Sequence, residues 1–575
     1  MRLQPIFDIA EICARKGVQN AVLCPGSRSA PLTLAFVNHP DIQTRTFSDE
    51  RSAAFVANGM SLETQTPTAL VCTSGSAAYN FAPAVAEAFF QQIPLLVFTA
   101  DRPKEWIDQY DGQTIRQFEI FGKHVKQSFE LPQEYDHDDL LWQINRIVND
   151  AINIATSYPQ GPVHINVPLR EPLYPKTNEK VAFSKEIRVV NKPRINALLD
   201  APTATSFQQR FLSHTKVLIV VGQTEFDSSL TEILQAFSKS HHVPVVAEII
   251  SNQHVIEEAI THADILLTHS AADVKKSLQP ELLITIGKSV LSKSLKQFLR
   301  THTPKEHWVI SQDEMLADTF KSATEVISIL PAHFFQQLNA SVHKSGFEAQ
   351  KRENYFRTWE AKEHQTARAV SSFFKDFGLS EFNVVDQLLK HLTIPCNLHL
   401  ANSMPVRYAN AIGLTPLNKE VRVFCNRGTS GIDGATSTAL GQSLISDHPT
   451  VLITGDMAFF YDRNAFWHNY PTDKLRILVL NNHGGAIFSM IDGPAGLGEL
   501  EEYFVTNQKL SARHICSEFD FDYLKLDNTR KVKNLMKDFL QMDGRTKIME
   551  VETDAVSAKH TMDQFKQHIK KSYES

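Results

Sequence analysis

Residues 450–488 constrain this chain more than any other stretch. They read TVLITGDMAFFYDRNAFWHNYPTDKLRILVLNNHGGAIF, with apolar β-type runs at 451–454 and 476–480. The first run ends in Gly455-Asp456 and the second in Asn481-Asn482-His483-Gly484-Gly485. The aromatic segment between them is long enough for one crossover helix, which predicts parallel strands. Their carboxyl ends then meet at one sheet edge, where open α/β folds bind ligands. An Asp, an Asn and a backbone carbonyl arriving there suit a hard cation such as Mg²⁺, which takes oxygen ligands and shares them with a phosphate. The plainer alternative is a pair of ordinary strand ends with polar turns.

The remainder of the chain repeats that alternation. Strands are expected at 21–24, 44–48, 68–72, 94–100 and 161–167, with helices at 30–38 and 50–62, the latter amphipathic with acids in its first turn. A charged stretch without periodicity, 171–193, reads as a linker. Further strands are expected at 216–222, 243–249, 265–268, 282–287 and 307–310. A helix-prone segment at 347–366 leads to strands at 397–400, 421–425 and 547–551. The fold class is therefore α/β, with three doubly wound parallel-sheet domains. We place their bounds at residues 1–180, 195–345 and 370–575. Gly287-Lys288-Ser289 and Val221-Gly222 look like pieces of nucleotide-binding motifs but lack the other glycines, and read as strand-to-helix turns.

Composition excludes several classes. With 42% hydrophobic and 21% charged residues, the 575-residue chain has the make-up of a multidomain globular protein. A net charge of −6 gives no general attraction for nucleic acid or an anionic membrane, so anionic ligands must be met by local arginines. Six scattered cysteines without a C-x-x-C spacing suit reduced cytoplasm better than a disulfide framework or zinc site. No apolar run approaches a membrane span, and the first residues carry no signal-like core.

The Gly-Asp…Asn-Asn spacing resembles the cofactor motif of thiamine diphosphate enzymes. That resemblance implies thiamine diphosphate as cofactor and Mg²⁺, with Mn²⁺ as a substitute, held by Asp456, Asn482 and the Gly484 carbonyl. Met457 departs from the small residue usual after that Asp. Such enzymes also need a carboxylic acid on the aminopyrimidine ring nitrogen, partly desolvated so that its pKa rises. Glu50, in Ser48-Asp49-Glu50-Arg51, matches the place of that catalytic glutamate. The alternative is a solvated acid at a helix start.

The resemblance narrows over several motifs taken in order: PGSRSAPL at 25–32, DER at 49–51, TSGSA at 73–77, ADRP at 100–103, NSMPVR at 402–407 and NRGTSGIDG at 426–434. Together these resemble the 2-succinyl-5-enolpyruvyl-6-hydroxy-3-cyclohexene-1-carboxylate synthase family of menaquinone biosynthesis. The resemblance implies decarboxylation of 2-oxoglutarate and 1,4-addition of the resulting four-carbon carbanion to isochorismate. Both substrates are dicarboxylates, which arginine forks match. It implies substrate contacts from Ser27, Arg28, Arg102, Gln113, Ser403, Arg407, Arg427, Ile487 and Phe488. It implies cofactor contacts from Glu50, Ser430, Gly431, Ile432, Gly455, Asp456 and Asn482, with Ile432 as an apolar wedge. It further implies a homodimer or homotetramer with active sites between subunits. Gly112 and Ser294, beside Gln113 and Lys293, depart from the family pattern. Two alternatives stay open. An acetohydroxyacid synthase-like carboligase would turn over pyruvate, and a non-catalytic relative would lack the acid or the metal ligands, all of which are present here.

Overall fold

In the computed structural model of the protein, residues 3–574 are described apart from 177–178, 314–315, 344–348, 376–377, 393, 416–417 and 492. The strands form three parallel sheets. The first holds β1 (Asn20–Leu23), β2 (Gln43–Thr46), β3 (Thr68–Cys72), β4 (Leu95–Asp101), β5 (Ser128–Glu130) and β6 (Pro162–Pro168), in the order β2-β1-β3-β4-β6-β5. The second holds β7 (Val217–Val221), β8 (Val245–Ala247), β9 (Leu282–Ile286), β10 (Glu306–Ile310) and β11 (Glu325–Ile327), ordered β11-β10-β9-β7-β8. The third holds β12 (Cys396–Leu400), β13 (Val421–Phe424), β14 (Thr450–Gly455), β15 (Leu475–Asn481), β16 (Asp522–Lys525) and β17 (Lys547–Glu552), ordered β13-β12-β14-β15-β17-β16. Their central strands are buried on both faces, which is why they read as unbroken apolar runs.

Each sheet starts one strand in from an edge, lays its second strand on that edge, then crosses to the other side. The strand order therefore reverses between β1 and β3, between β7 and β9, and between β12 and β14. At such a switch point neighbouring loops diverge and leave a crevice at the carboxyl edge.

Several expectations needed correction. Residues 265–268 are helical, within Ala263–His269, because a short apolar run cannot be told from a buried helix by periodicity. The short edge strands β5, β11 and β16 carried no continuous apolar run and were not expected. Helix Glu50–Thr64 is not amphipathic, being buried continuously from Ser52 to Ser61. It packs on the first sheet and, on its other side, against helix Ala435–Ser443 of the third. A Cβ on Gly59 would strike the Thr438 carbonyl, and one on Gly441 the Val56 carbonyl, so glycines permit the close crossing. The supposed linker is an extended strap pinned to the first domain. Gln4 Nε2 donates to Ala182 O (2.7 Å) and Asn149 brackets it through Arg188 O (2.9 Å) and the Val190 N–H (2.7 Å). Helix Glu353–Phe373 joins the second sheet's core, through Tyr355 and Trp359, to the third's, through Ala369 and Val370. No described helix is long and apolar enough to cross a membrane.

Candidate active site

β14 and β15 pair in parallel, so Asp456 and Asn482 reach the same edge of the third sheet. Asp456 begins helix Asp456–Tyr461 and is only 1% exposed. Burial pushes its pKa up to about 6, against hydrogen bonds from Gln508 and from the backbone N–H of Met457. Gln508 Nε2 holds Oδ2 at 2.6 Å. Asn482 is oriented by Glu381, whose Oε1 accepts from its Nδ2 at 2.8 Å. That leaves Asn482 Oδ1 buried with no partner. Glu381 is itself buried, and burial lifts its pKa to about 7, with the nearby Asp456 charge raising it further. At Gly484 a Cβ would sit 2.7 Å from Val505 O, so the turn that presents its carbonyl requires glycine.

Beside this lie the loops after β12 and β13. Asn402 Nδ2 donates to the carbonyls of Asn426 and Gly431, both at 2.7 Å, tying the two loops together. Ser403 (φ +72°) and Ser430 (φ +60°) hold backbone conformations that side-chain-bearing residues rarely adopt, and strain of this kind concentrates at functional sites. Arg407 Nη1 donates to Ser403 O (2.6 Å) and Arg427 Nη1 to Asn402 Oδ1 (2.9 Å). Burial lowers the Arg407 pKa and the nearby Arg427 charge lowers it further. Among the described residues neither has a carboxylate within salt-bridge distance, and Arg427 Nε is buried without a partner. Ile432 remains 41% exposed at the loop rim. Ile487 and Phe488 lie on the 3-10 turn Ala486–Ser489, with the Phe488 ring 5.9 Å from that of Phe504.

The first sheet's edge holds the other group. Glu50 is the first residue of its helix, and both its neighbours are tied to the third domain. Asp49 Oδ2 accepts from Asn464 Nδ2 (2.6 Å), and Arg51 Nη2 donates to Tyr461 O (2.7 Å). The Glu50 carboxylate lies near Cys24 and Cys72, beyond β1 and ending β3, and adds to the burial that raises both thiol pKa values. No hydrogen bond to its side chain occurs among the described residues. Arg28 is 5% exposed, donates to Leu169 O (2.8 Å) and lies 3.6 Å from Glu171. Burial and then the Arg102 charge lower its pKa. Arg102 donates to Gly112 O (2.9 Å), and Gln113 (φ +57°) stands with its backbone against Gly75. Ser27 is exposed on the turn before Arg28.

The predicted residues thus form two groups on two sheet edges. Ser27, Arg28, Glu50, Arg102 and Gln113 make one. Ser403, Arg407, Arg427, Ser430–Ile432, Gly455, Asp456, Asn482, Gly484, Ile487 and Phe488 make the other. Among the described residues no hydrogen bond or ion pair of one chain joins them. Lys293 is exposed, whereas Lys296 on the same helix is half-buried, and burial and the Arg427 charge both lower its pKa. Gln508, Glu381 and Lys296 were not expected, since a buried Gln, Glu or Lys far along the chain has no local signature.

The third edge fits a cation bound together with a phosphate. Its oxygens are one carboxylate, one unpartnered amide oxygen and one carbonyl. Among the described residues no cluster of three or more His, Cys, Asp or Glu provides a closed metal site. A hard ion would therefore complete its shell with ligand oxygens, as Mg²⁺ does.

Comparison with known proteins agrees with this geometry. Residues 7–120 match the family "Thiamine pyrophosphate enzyme, N-terminal TPP binding domain" and residues 192–400 match "Middle domain of thiamine pyrophosphate". The chain is 44% identical over 572 residues to a 2-succinyl-5-enolpyruvyl-6-hydroxy-3-cyclohexene-1-carboxylate synthase of Cytophaga hutchinsonii, covering 99% of this chain and 100% of the relative. The chain belongs to that synthase family. Synthases of the same description from Flavobacterium psychrophilum (38% identity, 92% of each chain) and Porphyromonas gingivalis (37%, 95% and 93%) are similar over nearly their whole lengths. As a member of this family the chain is a thiamine diphosphate-dependent enzyme, and its α/β sheets are those of that enzyme class.

Proposed function

We propose that this protein decarboxylates 2-oxoglutarate and adds the resulting four-carbon unit to isochorismate in a 1,4-addition, in menaquinone biosynthesis. The observation that carries the substrate choice is the pair Arg407 and Arg427. Arg407, exposed, and Arg427, half-buried, stand close enough at the carboxyl edge of an acidic chain for one charge to act on the other, and among the described residues neither has a carboxylate within salt-bridge distance. Like charges held together in this way are stabilised by an anion, and a dicarboxylate engages them with bidentate geometry. Pyruvate, with one carboxylate, would satisfy fewer of them.

Thiamine diphosphate, when bound, supplies the carbanion chemistry and the electron sink. Asp456, Asn482 Oδ1 and the Gly484 carbonyl would hold Mg²⁺ on its diphosphate, while Ser430, Gly431, Ile432 and Gly455 shape the bed beneath it. Glu50 would hydrogen-bond the aminopyrimidine ring nitrogen and share a proton with it. Arg28, Arg102, Gln113 and Ser27 would orient a substrate carboxylate from the first edge, with Ser403, Arg407, Arg427, Ile487 and Phe488 opposite.

Because no hydrogen bond or ion pair joins the two groups within a chain among the described residues, we assign each active site to two subunits. One contributes Glu50 and its partner contributes the cation ligands, so a homodimer is the smallest active unit. All six cysteines are free and buried, which supports a reducing, cytoplasmic setting. Incubation with thiamine diphosphate, Mg²⁺, 2-oxoglutarate and isochorismate, followed by mass analysis, tests the reading. The cyclohexene adduct is expected. Turnover of pyruvate in preference to 2-oxoglutarate, without adduct, would contradict it.

A further inference from the structure

The loop 426–434 carries Arg427, Ser430, Gly431 and Ile432, and its shape is not self-supporting. Ser430 (φ +60°) and Gly434 (φ +75°) both turn left-handed, and a Cβ on Gly434 would run into the Phe55 ring. Conformations of this kind persist only where the surroundings over-determine them. Much of that constraint comes from outside the third domain. Glu87, on helix Ala82–Gln91 of the first domain, is 1% exposed and aims its carboxylate at the loop's backbone. Its Oε1 accepts from the Gly428 N–H (2.8 Å), and its Oε2 accepts from both the Thr429 N–H and Thr429 Oγ1 (2.6 Å each). A Cβ on Gly428 would sit 2.6 Å from the Glu87 carbonyl, so loop and helix are in direct backbone contact.

One turn on, Gln91 Nε2 donates to Glu87 Oε1 (2.7 Å) and to Cys425 O (3.0 Å), just before the loop. The second domain then locks Gln91. Gln223 Nε2 donates to Gln91 Oε1 (3.1 Å) and to Cys425 O (2.9 Å), and the buried Lys288 ammonium donates to the Gln91 carbonyl. The glycine turns at Gly222 and Gly287-Lys288-Ser289, which look like fragments of phosphate-binding motifs, thus meet at a junction of all three domains.

We propose that Glu87 is the positioning residue of the cofactor- and substrate-binding loop, backed by Gln91 and, through it, by the second domain. This rests on the assignment of loop 426–434 to the site. An ionised carboxylate is the one side chain that accepts from all four converging donors, because it has acceptors only. Glu87→Gln turns one of those oxygens into an N–H₂ group facing N–H donors. The loop then loses the constraint that holds Ser430 and Arg427 in register.

The test compares wild type, Glu87→Gln, Thr429→Val and the double variant. It reads thiamine diphosphate affinity by intrinsic fluorescence in Mg²⁺, KM for isochorismate, and the melting temperature without cofactor. Glu87→Gln should weaken cofactor binding about tenfold and raise KM. Thr429→Val should weaken binding about threefold while leaving the melting temperature near wild type. In the double variant the Thr429 change should add less than it does alone, because the loop has already lost part of its hold on Glu87. If Glu87→Gln does not fold, Thr429→Val decides. Wild-type affinity in both single variants, or losses that are additive in the double variant, would overturn the proposal. A wild-type protein that fails to bind thiamine diphosphate would instead overturn the loop's assignment.

Discussion

The first, second and third sheets share the strand order around their switch points but use those points differently. Between β7 and β9 the crevice is closed. The Lys288 N–H bonds Gln223 O (2.9 Å), the Gln223 N–H bonds Ser289 O (2.8 Å), and a Cβ on Gly222 would lie 2.5 Å from Lys288 O. Left-handed, side-chain-bearing residues border all three crevices, Gln113 at the first, Asn252 at the second and Ser403, Ser430 and His483 at the third, but at the second Asn252 Nδ2 is tied to Thr224 O (2.8 Å) within the closed turn. The outer two also differ from each other, because the third collects oxygen ligands with one unpartnered amide oxygen while the first offers Glu50, whose side chain makes no hydrogen bond among the described residues, beside arginines that are paired with Glu171 and Asp111. Topology thus provides three equivalent places for a ligand, and the loop residues decide which become sites.

The comparison breaks most sharply at Glu50. Glu50→Gln should lower turnover by about a thousandfold while thiamine diphosphate affinity stays close to wild type. Steady-state rates beside a binding titration check this, and normal turnover would remove Glu50 from the chemistry. At the third edge, Glu381→Gln frees the Asn482 amide to reverse and should cost about tenfold to a hundredfold in Mg²⁺-dependent cofactor affinity. A calorimetric titration with unchanged affinity would show that Glu381 does not orient Asn482.

A smaller effect should appear as pH dependence where the first and third domains meet. Asp462 accepts from Ser437 N and Oγ, both at 2.7 Å, and burial lifts its pKa from 3.8 to about 6. The native state therefore binds this proton more tightly than the unfolded chain. Its contribution to stability, about 3 kcal/mol, is complete below about pH 4 and is lost as pH rises through about 6. Asp462→Asn should flatten the decline in urea midpoint between about pH 4 and 6.5, and a slope equal to wild type would argue against it. Smallest of all, Gly222→Ala should destabilise the closed crevice by about 2 kcal/mol in urea unfolding, since the added methyl meets backbone. An unchanged midpoint would mean that the second crevice has slack.

Much of this was legible in the sequence because it is local. Residues 451–454 and 476–480 announced β14 and β15, and each strand's polar ending named its own edge. Asp456 and Asn482 could be placed at one edge because one crossover fixes their separation, while their reading as cation ligands with Gly484 came from the resemblance. Glu87, Glu381 and Gln508 could not, because each acts on a residue more than a helix away in sequence and looks like any helix or loop residue. The continuous burial of helix Glu50–Thr64 was hidden for the same reason. Its polar residues are buried too: Asn58 Nδ2 bonds Ala84 O (3.0 Å) and Ser61 Oγ bonds Thr68 Oγ1 (2.9 Å) within the first domain, while helix Ala435–Ser443 of the third domain covers the other side. Periodicity reports one solvent boundary and is blind to a helix with two buried faces.

The central claim is that each site joins the first edge of one subunit to the third edge of another. Glu50→Gln and Asp456→Ala, each inactive alone, are co-expressed in equal amounts and the mixed population is assayed. Random pairing makes half of the dimers mixed, and each mixed dimer rebuilds one intact site, so activity should return to about a quarter of wild type. If the mixture stays as inactive as either variant alone, the site lies within one chain and the two-subunit account is wrong.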